Sequence, residues 1–163
     1  MDFFVRLEQT AFFTWVREAG SLWGYPAILF LHTLGLGTVA GLNAGIDLRI
    51  LGCAPNVPLP SLARFYRLIW IAFAVTALSG TILLLADAST KLPNPALWVK
   101  LVLVAAALVV MQAIKARALT PQADGHDIAA GTRALAIVSL VLWIGATIAG
   151  RLMAYVGPVS GLE

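Results

Sequence analysis

The sequence predicts an all-α integral membrane protein, an antiparallel four-helix bundle with an N-terminal interfacial amphipathic helix. Of the 163 residues, 60% are hydrophobic and only 12% are charged, and the mean hydropathy is +0.89. A soluble domain carries about 25% charged residues, so most of this surface must face lipid. Four apolar segments are long enough to cross a bilayer core, which needs about 20 residues each. Short connections between consecutive spans predict antiparallel neighbours.

The first element, residues 1–20, has the pattern of a helix that lies on the membrane surface. In "DFFVRLEQTAFFTWVRE" the apolar and the polar side chains separate onto two helical faces. The apolar face holds Phe4, Leu7, Ala11 and Trp15, and the polar face holds Arg6, Gln9, Thr10 and Arg17. Such a pattern is typical of an interfacial helix. Acidic residues interrupt the apolar stretch, so a signal peptide is a poor fit.

The bundle itself is predicted over residues 21–163, with spans at about 25–51, 66–87, 95–118 and 129–155. The third span begins at Asn94-Pro95, a good N-cap followed by a proline at the first helical position. Proline-rich "APNVPLPS" and "ASTKLPNP" form the first two loops, and "LTPQADGHD" forms the third. The apolar runs are long and do not alternate, which excludes strands.

The distribution of charge and the cysteine content exclude several kinds of partner and site. The Lys and Arg residues are dispersed at helix ends rather than gathered in a basic stripe, so a nucleic-acid partner is excluded. Cys53 is the single cysteine, which excludes an intramolecular disulfide and a cysteine-pair metal site. A slight excess of basic residues flanks the loops after the first and third spans. This excess predicts that those loops lie on the cytoplasmic side and that both termini lie on the outer side of the membrane.

The first span carries small residues on one face and polar residues on the other. Gly37, Gly41 and Gly45 follow each other at intervals of four, a small-xxx-small pattern that predicts close helix packing. His32, Asn43 and Asp47 fall on the opposite face.

Ionisable residues inside the spans give the strongest indication of a site. His32, Lys100 and Arg151 each lie roughly 6–10 Å from a helix end, and in an antiparallel bundle these ends share the outer side. An intramembrane charge is costly and is therefore a functional hypothesis by default. We expect these residues to form one polar site, with Asp87 at the same level. The alternative is that Lys100 and Arg151 extend to the headgroups and that His32 makes only a structural hydrogen bond.

Several ligands would suit that site. In haem b binding, His32 would be an axial ligand to the iron, Met153 a second ligand, and the two cations would hold propionates. A quinone or another anionic small molecule needs only one donor cluster and fits as well. A copper ion on His32 and Met153 would want more soft ligands. The motifs of hydrolases, HExxH and GxSxG, are absent, which favours a non-catalytic protein.

A second cluster is expected at the opposite, inner end of the bundle. There Asp47 can pair with Arg49 or Arg67, and such an ion pair would fix the corner between the first and second spans. We interpret this pair as structural.

The pattern "YPAILFLHTLGLG…AG…DLRILG" resembles a family of uncharacterised bacterial four-helix membrane proteins, and "NPALWVKLVL" and "AGRLMAYVG" are similar to that family's third and fourth helices. More distantly, the Tyr-Pro…His and Lys-bearing helices are similar to copper-resistance D-type membrane proteins. The nearer resemblance is to bacterial proteins and implies no established activity. We expect a multi-pass protein of the bacterial inner membrane, with both termini periplasmic as the distribution of Lys and Arg predicts. Its motif positions correspond to His32, Asp47, Arg49, Lys100 and Arg151.

Three functions follow in order of preference. The first is a non-catalytic subunit or binding protein that holds haem b or a quinone at the outer site. The second is a copper-handling, permease-like protein. The third is an assembly protein without a ligand, whose glycine face packs against a membrane or periplasmic partner or a second copy of the chain.

Overall fold

A computed structural model describes Arg6, residues 8–18, 22–119 and 128–153, and Tyr155. Its regular structure is helical throughout, and the described residues contain no strand, which confirms the all-α prediction. The α-helices are α1 (Ala11–Glu18), α2 (Tyr25–Ile50), α3 (Phe65–Leu85), α4 (Ala88–Lys91), α5 (Pro95–Ala118) and α6 (Ala130–Leu152). A 3-10 helix at Leu59–Arg64 leads directly into α3.

Four of these helices, α2, α3, α5 and α6, are long and apolar enough to cross a membrane, as the sequence predicts. The predicted limits 25–51, 66–87 and 95–118 compare with Tyr25–Ile50, Phe65–Leu85 and Pro95–Ala118. The fourth helix, Ala130–Leu152, is shorter than the predicted 129–155. Large apolar side chains are exposed along all four helices, among them Leu34, Leu78, Val102 and Val141. A surface of this kind is suited to lipid contact, so the chain is a multi-pass membrane protein.

Local sequence explains where these helices begin and end. The Asn94 side chain accepts a hydrogen bond from the Ala96 backbone N–H at 2.9 Å, and Pro95 follows as the first residue of α5. This is the N-cap that the sequence predicts. After α2, Gly52 adopts a φ of +108°, which a residue with a side chain rarely adopts. The chain therefore leaves the helix there and enters the proline-rich loop.

The four long helices share one main core. Helix α2 packs against both α3 and α6, and α5 packs against α6. The most buried core side chains lie in the second half of α2, the first half of α3, the second half of α5 and the first part of α6; they include Val39, Ile50, Ile69, Met111, Ile114 and Ala136. This core therefore occupies the end of the structure that contains Ile50.

The N-terminal segment is held by the turn between α3 and α4. Glu8 is buried and accepts hydrogen bonds from the Ser89 backbone N–H at 2.6 Å and from its Oγ at 3.1 Å. Arg17 donates to the Ala86 carbonyl at 3.0 Å. In α1, Val16 is buried and Trp15 is half-exposed. Two members of the predicted apolar face, Phe4 and Leu7, lie outside the described residues.

The close helix contact uses different glycines from those singled out in the sequence. Gly37, Gly41 and Gly45 are exposed, and a Cβ added at any of them would meet nothing within 4 Å. At Gly35, in contrast, a Cβ would overlap Thr76 Oγ1 and lie 2.9 Å from the Ala72 carbonyl oxygen. Helix α2 is thus rotated so that Gly35 faces α3, and the predicted glycine stripe makes no close contact within the described chain.

Candidate functional site

One polar cluster, which we call the His32 cluster, joins α2, α3 and α5 through His32, Thr76, Ser79 and Lys100. The Nδ1 atom of His32 lies 2.9 Å from the carbonyl oxygen of Thr76, and its Nε2 atom lies 3.4 Å from Lys100 Nζ. A carbonyl only accepts, so Nδ1 must carry the proton and donate it. The unprotonated Nε2 then accepts from the Lys100 ammonium. These two partners fix the neutral imidazole in one tautomer.

The side-chain hydroxyl groups of Thr76 and Ser79 donate hydrogen bonds to backbone carbonyls of their own helix, α3. Thr76 Oγ1 donates to the Ala72 carbonyl at 2.9 Å, and Ser79 Oγ donates to the Val75 carbonyl at 2.6 Å. Ser79 Oγ also lies 3.4 Å from His32 Nδ1. Because the proton on Nδ1 is directed to the shorter Thr76 contact, Ser79 is a secondary neighbour of the ring.

Two glycines, Gly80 and Gly150, lie directly against the side chains of His32 and Lys100. A Cβ at Gly80 would lie 2.8 Å from His32 Cε1, so the backbone of α3 covers one edge of the imidazole. A Cβ at Gly150 would lie 3.5 Å from the Cδ, Cε and Nζ atoms of Lys100. The lysine stem therefore runs along α6 at Gly150, and all four long helices contribute to the surroundings of the pair.

Lys100 forms no ion pair with an acidic side chain in the described part of the chain. The one acidic residue predicted at its level, Asp87, pairs instead with Lys91, with 3.8 Å between Oδ2 and Nζ. Lys91 also donates to the Leu83 carbonyl at 2.8 Å. Burial lowers the pKa of Lys91, and Asp87 offsets part of this fall. The Asp87 carboxylate thus pairs with Lys91 rather than with Lys100.

The other two residues predicted for this site lie apart from the pair. Arg151 is exposed, and no hydrogen bond or ion pair joins it to His32 or Lys100 within the described ranges. It follows Gly150, and successive helical residues point about 100° apart, so the face that meets Lys100 is not that of Arg151. Met153 is half-buried, and its backbone carbonyl lies 3.5 Å from Asn94 Nδ2. The structure therefore brings together His32 and Lys100 alone.

This arrangement determines which ligands suit the cluster. A metal or a haem iron on His32 Nε2 would have to displace the Lys100 ammonium, since Nδ1 is already bound to Thr76. No group of three or more His, Cys, Asp or Glu side chains within the described ranges could hold a metal ion. The donor set is one of N–H groups, which suits a ligand with acceptor oxygens.

At the other end of α2, the predicted ion pair of Asp47 with Arg49 or Arg67 is not formed among the described residues. Arg49 donates instead to the Val57 carbonyl at 2.6 Å and to the Pro55 carbonyl at 2.8 Å. Arg67 is exposed, whereas Asp47 is only 1% exposed. Positions 47 and 49 are separated by about 200° around the helix, so one faces the core and the other the loop.

Around Asp47 lies a second polar cluster that the sequence analysis did not identify. We call it the Asp47 cluster; it comprises Asp47, Tyr66 and Ser139, all buried, and Trp143 lies one helical turn from Ser139 on α6. Asp47 Oδ2, Ser139 Oγ and Trp143 Nε1 are buried atoms without a hydrogen-bond partner in the structure described. Tyr66 donates its hydroxyl proton to the Met111 carbonyl at 3.0 Å. The spacing of Ser139 and Trp143, four residues apart like Asn43 and Asp47, is the pattern that could have indicated two facing polar stripes.

Comparison with protein-family models, with curated proteins and with solved structures produced no match.

Proposed function

We propose that the protein is a non-catalytic membrane protein that binds a quinone through the His32 cluster. In this proposal α2, α3, α5 and α6 form an antiparallel bundle in a bacterial inner membrane, with both termini on the periplasmic side. The observation that carries it is the contact of 3.4 Å between Lys100 Nζ and His32 Nε2 on facing helices. It places an ammonium group in an apolar span with an imidazole as its partner, and no carboxylate among the described residues pairs with it.

The number of donors on Lys100 supports a ligand with acceptor oxygens. An ammonium group has three N–H donors, and His32 Nε2 can accept only one of them. Polar groups inside a membrane require partners, because lipid chains provide none. A quinone carbonyl supplies an acceptor oxygen, carries no charge that must be buried, and reaches such a site through the lipid phase. An anionic small molecule would use the same donors.

The depth of the pair and the packing of α2 on α3 are consistent with this proposal. His32 lies seven residues after Tyr25, or about 10 Å along the helix, and Lys100 lies about 7–8 Å from Pro95. This depth is close to the headgroup boundary. On α2, Gly35 lies against Ala72 and Thr76 while the earlier His32 lies against the later Gly80, as expected for helices that run in opposite directions.

Haem b and copper remain alternatives for the same site, and both need a rearrangement. In either case Lys100 would leave His32 Nε2, which then coordinates the metal, with Met153 as a second ligand. Arg151 would have to turn inwards to hold a haem propionate.

An assembly role without a ligand is favoured by a separate observation. The stripe of Gly37, Gly41 and Gly45 is exposed and lies beside a shallow groove lined by Phe30, Thr33, Leu34, Gly37 and Thr38. Small residues of this kind allow a second helix to approach closely. The partner in this alternative is a membrane or periplasmic protein or a second copy of the chain.

Binding of a short-chain benzoquinone to the detergent-purified protein tests the proposal. We expect Lys100→Met to weaken binding at least about tenfold, which corresponds to the loss of about 1.4 kcal/mol. Lys115→Met is the matched control, since it makes the same change on α5 near the opposite end of that helix and should leave binding unchanged. Equal affinity of the wild type and Lys100→Met, or no binding at all, would overturn the proposal.

The same preparation separates the alternatives. A Soret band that disappears in His32→Ala would indicate haem, and stoichiometric copper by metal analysis would indicate the copper-handling function. A colourless, metal-free protein that purifies as an oligomer, and dissociates in Gly41→Leu, would indicate assembly.

A further inference from the structure

Asp47 is a buried carboxyl group without a cationic partner among the described residues. It is 1% exposed, and one of its oxygens, Oδ2, has no hydrogen-bond partner. Ser139 of α6 is fully buried beside this carboxyl group, and its Oγ atom is also unpartnered. The Ser139 hydroxyl group lies beside the Asp47 carboxyl group across the α2–α6 contact, and it is uncharged, so it does not neutralise a carboxylate there.

The charged and titratable groups on the neighbouring helices do not neutralise a carboxylate at this position. On α2, Arg49 is held by the Pro55 and Val57 carbonyls. On α3, the Tyr66 hydroxyl donates to Met111, and Arg67 is exposed. On α5, Lys115 lies over the Tyr66 ring, 5.0 Å from its centroid. On α6, Ser139 and Trp143 are uncharged, and Arg133 is exposed.

We propose that Asp47 is a proton-binding site within the membrane, where burial without a neighbouring cation keeps its carboxyl group protonated. Asp47 is 1% exposed and has no cation beside it among the described residues, so the ionised carboxylate would be buried without an opposite charge. Protonation removes this charge, which an apolar span would leave without compensation. The site is distinct from the His32 cluster and does not rest on the quinone proposal.

The ligands near Asp47 favour a proton over a metal cation as the occupant. No group of three or more His, Cys, Asp or Glu side chains in the described part of the chain could hold a metal ion, whereas a hard divalent cation takes six or more oxygen ligands.

Infrared spectroscopy of the full-length protein in lipid provides the direct test. We expect a C=O stretching band of a protonated carboxyl group at neutral pH, which disappears at high pH and is absent in Asp47→Asn. Glu18→Gln is the matched control, because Glu18 is exposed on α1 and its change should leave the band unchanged. Ser139→Ala should shift the band, because it removes the hydroxyl group that lies beside the carboxyl group. If the wild type shows no such band at neutral pH, the proposal fails.

The pH dependence of thermal unfolding gives a second test, in which the wild type is compared with Asp47→Asn. The folded chain holds a proton that the unfolded chain releases above the ordinary pKa of aspartate, about 4, so the wild type should lose stability relative to Asp47→Asn as the pH rises above that value. Asp47→Asn keeps a neutral polar group and should lose this pH dependence. Identical pH profiles of the wild type and Asp47→Asn would overturn the proposal. A Tm that rises on adding NaCl in the wild type, but not in Asp47→Asn, would also overturn it, because it would indicate a cation site. If Asp47→Asn does not fold, the wild-type band and its shift in Ser139→Ala decide the question.

Discussion

The imidazole of His32 lies directly against the backbone of α3 at Gly80, where a Cβ would come within 2.8 Å of the ring atom Cε1. The same ring is held by the Thr76 carbonyl on one side and the Lys100 ammonium on the other. These three contacts together fix the position and orientation of the imidazole ring. The geometry of the His32 cluster therefore depends on the absence of a side chain at Gly80.

Gly80→Ala should displace His32 and weaken its hydrogen bond to Thr76. Overpacking of this kind costs about 1–3 kcal/mol, and the free energy of unfolding should fall by that amount. Thermal unfolding in detergent measures the change, and the NMR signal of the protonated Nδ1 reports the hydrogen bond. Gly41→Ala is the control, since a Cβ there meets nothing within 4 Å. Equal stability of the two variants would contradict the contact.

Gly35→Ala and Gly37→Ala form a second matched pair, two residues apart on α2. The new methyl group at Gly35 would collide with Thr76 Oγ1 and the Ala72 carbonyl, whereas the one at Gly37 would meet nothing within 4 Å. We expect Gly35→Ala to destabilise the protein by about 1–3 kcal/mol and Gly37→Ala to have little effect. Adding Thr76→Ala should recover part of the loss by removing one of the two obstacles. A larger effect at Gly37 would mean that α2 is rotated differently.

Glu8→Ala should release α1 from the turn between α3 and α4. Glu8 is the acceptor for two hydrogen bonds from Ser89, and its loss leaves the Ser89 N–H without a partner at a cost of about 1–3 kcal/mol. Amide hydrogen exchange in residues 11–18 should accelerate. Glu8→Gln keeps one acceptor oxygen and should have a smaller effect. Glu18→Ala, an exposed position, should leave the exchange rates unchanged.

Asp87→Asn should lower the pKa of Lys91 further than burial already does. Burial disfavours the charged amine, and the negative charge of Asp87 opposes that effect. Since the folded chain binds this proton more weakly than the unfolded chain, Lys91 makes folding more favourable as pH rises towards the ordinary pKa of lysine. NMR titration of isotope-labelled lysine side chains measures the shift. A pKa of Lys91 that stays constant or rises in Asp87→Asn would contradict the proximity of the two groups.

The spans were predictable because lipid imposes a length and a composition that the sequence displays directly. The limits 95–118 coincide with α5 because Asn94 and Pro95 mark its first turn unambiguously. The level of His32 and Lys100 was also predictable, since counting from helix ends gives depth. What counting does not give is rotation about the helix axis.

Rotation was difficult to predict because the long helices are apolar on every side, so hydrophobicity does not distinguish the packed face from the lipid face. Three glycines at regular spacing therefore indicated a packing face of α2, whereas the packed glycine is Gly35. For the same reason Arg49, two residues from Asp47, was expected as its partner but contacts loop carbonyls instead. The unpartnered atoms of Ser139 and Trp143 become visible only once α6 is placed against α2.

The main core is concentrated around Ile50, Ile69 and Ile114, and it stops short of His32. Most of the apolar side chains buried at the His32 end are small; they are Ala86, Ala88, Ala146 and Ala149, with Leu83 and Leu97. Separation of the helices near His32 would therefore expose less apolar surface than separation around Ile50, and its local free energy of opening should be lower. A lipid-borne molecule could enter and leave beside His32 without unfolding the protein.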